Sequence, residues 1–143
     1  MKYWVGTTDN NWFKYLSSIQ PDEVNFWQPR GGATYADLTS GSLFLFKLKR
    51  PYNHIAGGAH FVKSTALPMS MAWGAFGTKN GAATRPEFEA MIRRLVSVSA
   101  QDDPVVGCTV LCEPFFWPEE LWIADPQGWS LSLIHISEPT RQA

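Results

Sequence analysis

The sequence predicts a small α+β domain built on a curved, mostly antiparallel sheet or half-open barrel with flanking helices. Three observations lead there. The order along the chain reads strand, helix, two or three strands, helices, strands. Two apolar runs, 42–48 and 54–63, are separated only by the loop 49–53 with its Pro51, which makes them a hairpin. The return run carries Gly57-Gly58, which marks a bulge or a close backbone approach.

Each element has its own reason. Residues 2–6 alternate, with Tyr3 and Val5 on one face of a strand and Trp4 on the other. Thr8 or Asp9 can cap a helix over 10–18, where Trp12, Phe13, Leu16 and Ile19 fall at helical spacing. Gln20-Pro21-Asp22 ends it, and 23–28 is short and extended. A helical turn is expected at 33–38 and a turn at Ser40-Gly41. Strand 42–48 places Leu43, Leu45 and Lys47 on one face and Phe44, Phe46 and Leu48 on the other. With both faces mostly apolar, it reads as a central strand. Residues 68–76 form a short helix and 77–83 a loop. Thr84-Arg85-Pro86-Glu87 is a capping box, followed by Phe88, Met91, Ile92 and Leu95 along one helix face. Asp102-Asp103-Pro104 is a turn, 105–111 a strand, and a last short element lies near Trp122-Ile123.

The bulk numbers bound the class. A chain of 143 residues fits one domain. Hydrophobic content of 45% against 17% charged predicts a packed globule, and 7 Trp, 9 Phe and 4 Tyr can fill its core. A net charge of -1 provides no global field for nucleic acid, so any such binding uses a local basic patch. Lys47, Lys49, Arg50 and Arg30 are the candidates, with a solvated hairpin end as the alternative. Cys108 and Cys112 lie four apart in one strand, about 13 Å at ~3.3 Å per residue, too far for a disulfide. Free thiols in a reducing cytoplasm are the expectation. The start MKYWVG has no long apolar stretch of a signal peptide, and no run approaches a membrane span.

Familiar catalytic patterns are missing. The chain has no Gly-rich phosphate loop, no GxSxG and no HExxH. His54 and His60 have no Cys or His partners at ligand spacing, so no metal site is expected. Glu119-Glu120 and Asp102-Asp103 read as solvated turns rather than acid–base pairs. No catalytic residue is assigned, and a binding module is easier to build from these residues than a self-contained enzyme.

Residues 131–143, LSLIHISEPTRQA, resemble the translation of a transposon-end adapter used in preparing sequencing libraries. The expected division is a domain over 1–130, the N-terminal part of a longer protein, and a non-native tail over 131–143. His135 is therefore set aside as a functional candidate.

YWVG at 3–6, VNFWQ at 24–28, the Gly41 turn, LFLFKL at 43–48 and IAGGAHFV at 55–62 together resemble the EVE and YTH domains of the PUA-like superfamily. YWVGTTDNNWF, DEVNFWQP, LFLFKLKRPYNHIAGGAHF, LPMSMAWGAFGTKNGA and VVGCTVLCEPFFWPEELW, in that order, resemble the N-terminal region of bacterial restriction endonucleases that carry a C-terminal HNH nuclease domain. The resemblance implies a PUA-like fold, DNA with a modified base as partner, and a non-catalytic reading domain. A divalent metal would belong to the HNH domain, with no cofactor in these residues. It also implies homodimerisation through the full-length protein. Carried over from YTH-like readers, Trp27 is a cage wall and Trp73 the second wall. Asp9, Asn10 and Asn11 are base-edge groups, Asn25 and Gln28 add polar contacts, and Lys47, Lys49, Arg50 and Arg30 meet phosphates. The competing reading of each Trp is core packing, and of Asn10, capping. Two other functions compete with DNA reading: a stand-alone PUA-like RNA-binding module, and a structural domain that positions a nuclease without touching bases.

Overall fold

The computed structural model describes residues 3–29, 38–99 and 102–124, together with the backbone of 133–136. β1 (Tyr3–Thr8) leads into α1 (Asn10–Ile19) and β2 (Glu23–Gln28). The hairpin follows as β3 (Leu43–Leu48) and β4 (His54–Pro68), then α2 (Met69–Phe76), a 3-10 turn over Gly77–Asn80, and α3 (Arg85–Leu95). β5 (Val105–Phe116), β6 (Ile123–Ala124) and β7 (Leu133–Ile136) complete the order. The α+β class expected from the sequence is the one observed. The helical turn expected at 33–38 lies outside the described residues except for Leu38, which is buried.

One sheet runs β2-β5-β4-β3-β1-β7, and β6 pairs with the start of β4. Every pairing is antiparallel except β1 with β3, whose connection passes through α1 and β2. β3 is central, between β4 and β1, as its two apolar faces predict. β4 is 15 residues long, well past the expected end at 63. Its register against β5 shifts at Gly58/His60 and again at Phe61/Lys63. Each shift inserts unpaired backbone, which bends the strand and increases its twist. Gly57 and Gly58 are required here. A Cβ on Gly57 would sit 2.2 Å from the Phe115 carbonyl oxygen, and one on Gly58 2.6 Å from that of Phe44.

The bend curls the sheet so that its β2 end swings over β3. Inside the curl, Phe26, Phe44, Phe46 and Leu48 meet Trp12, Phe13 and Leu16 of α1, which plugs the barrel. Trp12 meets Phe26 and Phe46 edge-on at 5.4 and 5.3 Å, geometries worth about 0.5–1.5 kcal/mol each beyond area burial. Asp9 caps α1 by accepting from the Trp12 N–H at 2.9 Å, a bond worth about 1 kcal/mol. On the other side of β2 and β5, α2 and α3 cover a second core of Met69, Ala72, Phe88, Ile92, Val106 and Cys108.

The caps of α2 and α3 differ. Thr84 accepts from the Glu87 N–H at 3.3 Å, the first half of the expected box. α2 has no cap of its own. Asp103 reaches across, taking the Ser70 N–H at 2.9 Å and the Ser70 hydroxyl at 2.6 Å. The Ser70 hydroxyl, then its N–H, holds the Asp103 carboxyl below the usual carboxylate range. The Asp102-Asp103 turn, expected as merely solvated, therefore starts a helix 33 residues upstream.

Both cysteines are free, Cys108 buried and Cys112 half-buried. Burial pushes the Cys108 thiol pKa up. β7 falls within the segment 131–143 and pairs antiparallel with β1, Tyr3 opposite Ile136. An open strand edge offers its N–H and C=O groups to any extended backbone, so this pairing carries no information about the segment's origin. Among the described residues, no helix is long and apolar enough to cross a membrane.

Candidate functional site

The curl leaves a gap between the C-terminal ends of β1 and β2. A cavity of about 220 Å³ occupies it. Its walls are Thr7 of β1, Asp9 just after it, Trp12 of α1, and Phe26, Trp27, Gln28 and Pro29 at the end of β2. Lys49 at the hairpin turn and Met91, Arg94 and Leu95 of α3 complete it. The residues at 91, 94 and 95 share one helical stripe, which is why α3 presents them together.

Trp27 is held by two contacts. Its indole N–H donates to the Asn80 carbonyl at 2.8 Å, and its ring meets Phe88 edge-on at 5.6 Å. It remains half-buried, with part of its surface in the cavity. The Trp12 indole N–H donates to the Asn25 carbonyl at 3.2 Å. Both aromatic walls therefore direct their only polar hydrogen into the protein and not toward the cavity.

The charged groups are mixed in sign. Asp9 commits one carboxylate oxygen to the α1 cap while lining the cavity. Lys49 enters from the hairpin turn and Arg94 from α3, and neither forms an ion pair among the described residues. A carboxylate beside two cations and two tryptophan rings can hold a flat, polar-edged, anion-bearing ligand. An engineered apolar cavity of ~150 Å³ holds benzene, so this one has room for a one- or two-ring heterocycle.

The structure brings some predicted site residues together and separates others. Trp27, Gln28, Asp9 and Lys49 line the cavity. Trp73 does not. It lies against Phe88 in the second core, centroids 5.9 Å apart, so the two tryptophans share a neighbour without sharing a cavity. Asn25 is 0% exposed, because its strand position points into the packing between β2 and the 3-10 turn. It cannot touch a ligand in this arrangement. Asn10 spends its amide on the hairpin turn, donating to the Arg50 carbonyl at 3.0 Å and accepting the Lys49 N–H at 2.9 Å. That bond fixes the backbone of Lys49 at the cavity wall. Asn11 lies on a shallower neighbouring groove with Tyr15, Glu87 and Arg94.

Of the four expected phosphate contacts, only Lys49 lines the cavity. Arg50 is exposed on the adjoining turn. Lys47 is 9% exposed, since its side of β3 is the buried face shared with Leu45. Arg30 lies outside the described residues. Arg94 and Trp12 were not anticipated as wall residues. Met91 and Leu95 belong to the helix face read from the sequence, Arg94 does not, and Leu95 is 54% exposed at the cavity rim. Among the described residues, no cluster of His, Cys, Asp or Glu is placed to hold a metal ion.

No protein-family model matches the chain, and no curated protein matches it. Solved structures do. The ASCH protein of Zymomonas mobilis superposes with a TM-score of 0.61 at 13% identity, over 95% of this chain and 88% of that one. The fold is PUA-like. Two variants of the same Zymomonas protein agree. A Tyr-to-Phe variant gives a TM-score of 0.59 at 13% identity over 96% and 92% of the two chains. A Ser-to-Ala variant gives 0.60 at 12% over 95% and 89%. At this identity it is a likeness of PUA-like fold alone.

Proposed function

We propose that this chain is a nucleic-acid-reading module that takes one unstacked base, modified in its preferred target, into the cavity beside Trp27. The observation that carries the reading is the cavity's wall: two tryptophans, Asp9 and Gln28 for a base edge, and Lys49 and Arg94 for flanking phosphates. Extruding a base costs a few kcal/mol. Stacking on an aromatic contributes ~1–3 kcal/mol and edge hydrogen bonds add to it. An extra methyl adds only ~0.8 kcal/mol, so selection for a modified base rests on cavity shape. Phosphate contacts set position and affinity.

We further propose, on the resemblance of its ordered sequence blocks, that the module is the specificity domain of an HNH restriction endonuclease acting on DNA. The cleaving histidines and metal would then reside in a separate nuclease domain. Residues 1–130 form the reader in this proposal, the protein works in the bacterial cytoplasm, and the full-length enzyme dimerises.

The test is equilibrium binding to matched DNA duplexes carrying unmodified cytosine, 5-methylcytosine, 5-hydroxymethylcytosine or N6-methyladenine at one position. One modified duplex should bind more tightly than its unmodified match, and Trp27→Ala should abolish that preference while the thermal transition persists. Undiminished binding by Trp27→Ala would sink the cavity assignment. Tighter binding of single-stranded RNA than of the matched DNA would redirect the reading to RNA, where the 2′-OH is recognised.

A further inference from the structure

Asn80 closes the 3-10 turn that follows α2, and it is 0% exposed. Its carbonyl accepts the Trp27 indole N–H. Its side chain then uses both ends of the amide. Nδ2 donates to the Ala72 carbonyl at 3.1 Å and to the Gly77 carbonyl at 3.0 Å. Oδ1 accepts from Asn25 Nδ2 at 2.8 Å. The Asn25 carbonyl in turn accepts the Trp12 indole N–H. The indole hydrogens of both aromatic walls thus end on a buried, mutually bonded Asn25–Asn80 pair. An apolar residue at 25 would leave the buried Asn80 Oδ1 without its donor, a loss of about 1–3 kcal/mol.

We propose that Asn80 is a positioning residue of the base cavity: through its carbonyl, and braced by Asn25, it locks the plane of the Trp27 ring. This rests on the base-reading function proposed above and names the residues that preorganise it. Two consequences follow from the geometry. The tryptophans offer a ligand only apolar ring surface, because their N–H donors are already used. Edge recognition therefore falls to Asp9, Gln28 and Thr7. A ring held before binding also spares the ordering cost of fixing it on the ligand.

The test uses the full chain labelled with ¹⁵N, with Trp27→Phe to assign the Trp27 indole resonance. The probe is whichever modified duplex binds the parent most tightly. Asn80→Ala keeps the carbonyl that accepts the Trp27 N–H but removes the side-chain bonds that fix it in place. Asn25→Val keeps a strand-compatible shape and removes only the Asn25–Asn80 bond, so it serves if Asn80→Ala does not fold. The expected result is a shifted, faster-exchanging Trp27 indole proton in a folded variant, and roughly tenfold weaker probe binding. Combined with Trp27→Phe, the same substitution should weaken binding by much less than that, since no indole N–H remains to be held. A Trp27 indole signal unchanged in Asn25→Val and in folded Asn80→Ala overturns the proposal. So do losses that add fully in the double variant. If the parent binds none of the duplexes, base reading fails, and the indole exchange still decides whether Asn80 fixes the ring.

Discussion

Phe26 and Phe44 face each other with ring centroids 4.9 Å apart, although β5 and β4 lie between their strands in the sheet. The contact is possible only because the sheet curls, and the cavity is the mouth of that curl. Phe26 also lies under Gly6, where an added Cβ would be 3.2 Å from the ring tip. Truncating Phe26 to Ala should cost about 3–5 kcal/mol, read as a drop in the urea midpoint. Phe26→Leu retains most of the volume and should cost less. An Ala variant as stable as the parent would show that this contact does not hold the curl.

Gly81 has a left-handed backbone, φ 90°, and a Cβ there would sit 2.1 Å from Trp12 Cδ1. Gly81→Ala should destabilise by about 2 kcal/mol or more, combining backbone strain with displacement of an indole. Because Trp12 is a cavity wall, its near-ultraviolet dichroism should change and ligand binding should weaken together. A variant with parental melting temperature and spectrum would contradict this placement.

Lys49 and Arg94 line the cavity without ion-pair partners among the described residues. Each neutral variant, Lys49→Gln or Arg94→Gln, should reduce the slope of log affinity against log salt by about one. The preference among modified bases should persist, since phosphate contacts carry little base identity. A variant that loses base preference but keeps its salt slope would move that residue from phosphate to base edge.

Asp103 titrates below its ordinary value of 3.8 because Ser70 donates to it twice. A carboxylate with a depressed folded pKa contributes stability that is complete above its unfolded pKa. That contribution disappears as pH falls from about 3.8 through the folded value. Asp103→Asn should therefore lower stability at pH 7 modestly, since the site is exposed, and should flatten the acid limb of the stability curve. Melting temperatures of parent and variant from pH 7 down to pH 2.5 check this, and parallel curves would refute it.

The element order, the hairpin, the Thr84 cap and a cap at Thr8 or Asp9 were legible in the sequence, because each depends on neighbours a few residues away. Gly57-Gly58 marked a bulge or close approach, but the backbone that comes close, at Phe115 and Phe44, belongs to other strands. The α+β class followed from their order, and the PUA-like fold from the resemblance its motifs carry. Trp27, Gln28, Asp9 and Lys49 were also named from the sequence, and each ends a strand or begins a helix beside the cavity. Tertiary structure decided the rest. Asn25 and Asn80 are 55 residues apart, and only packing makes them partners. Trp73 and Trp27 look alike as exposed aromatics in sequence, yet the sheet lies so that only one reaches the cavity. Arg94 was one of several helix cations until the curl set α3 beside β2. Local periodicity tells which way a side chain points from its own element. Which ends of which elements then meet is set by how far the register shifts in β4 bend the sheet, and that sum over many strands is not written at any single position.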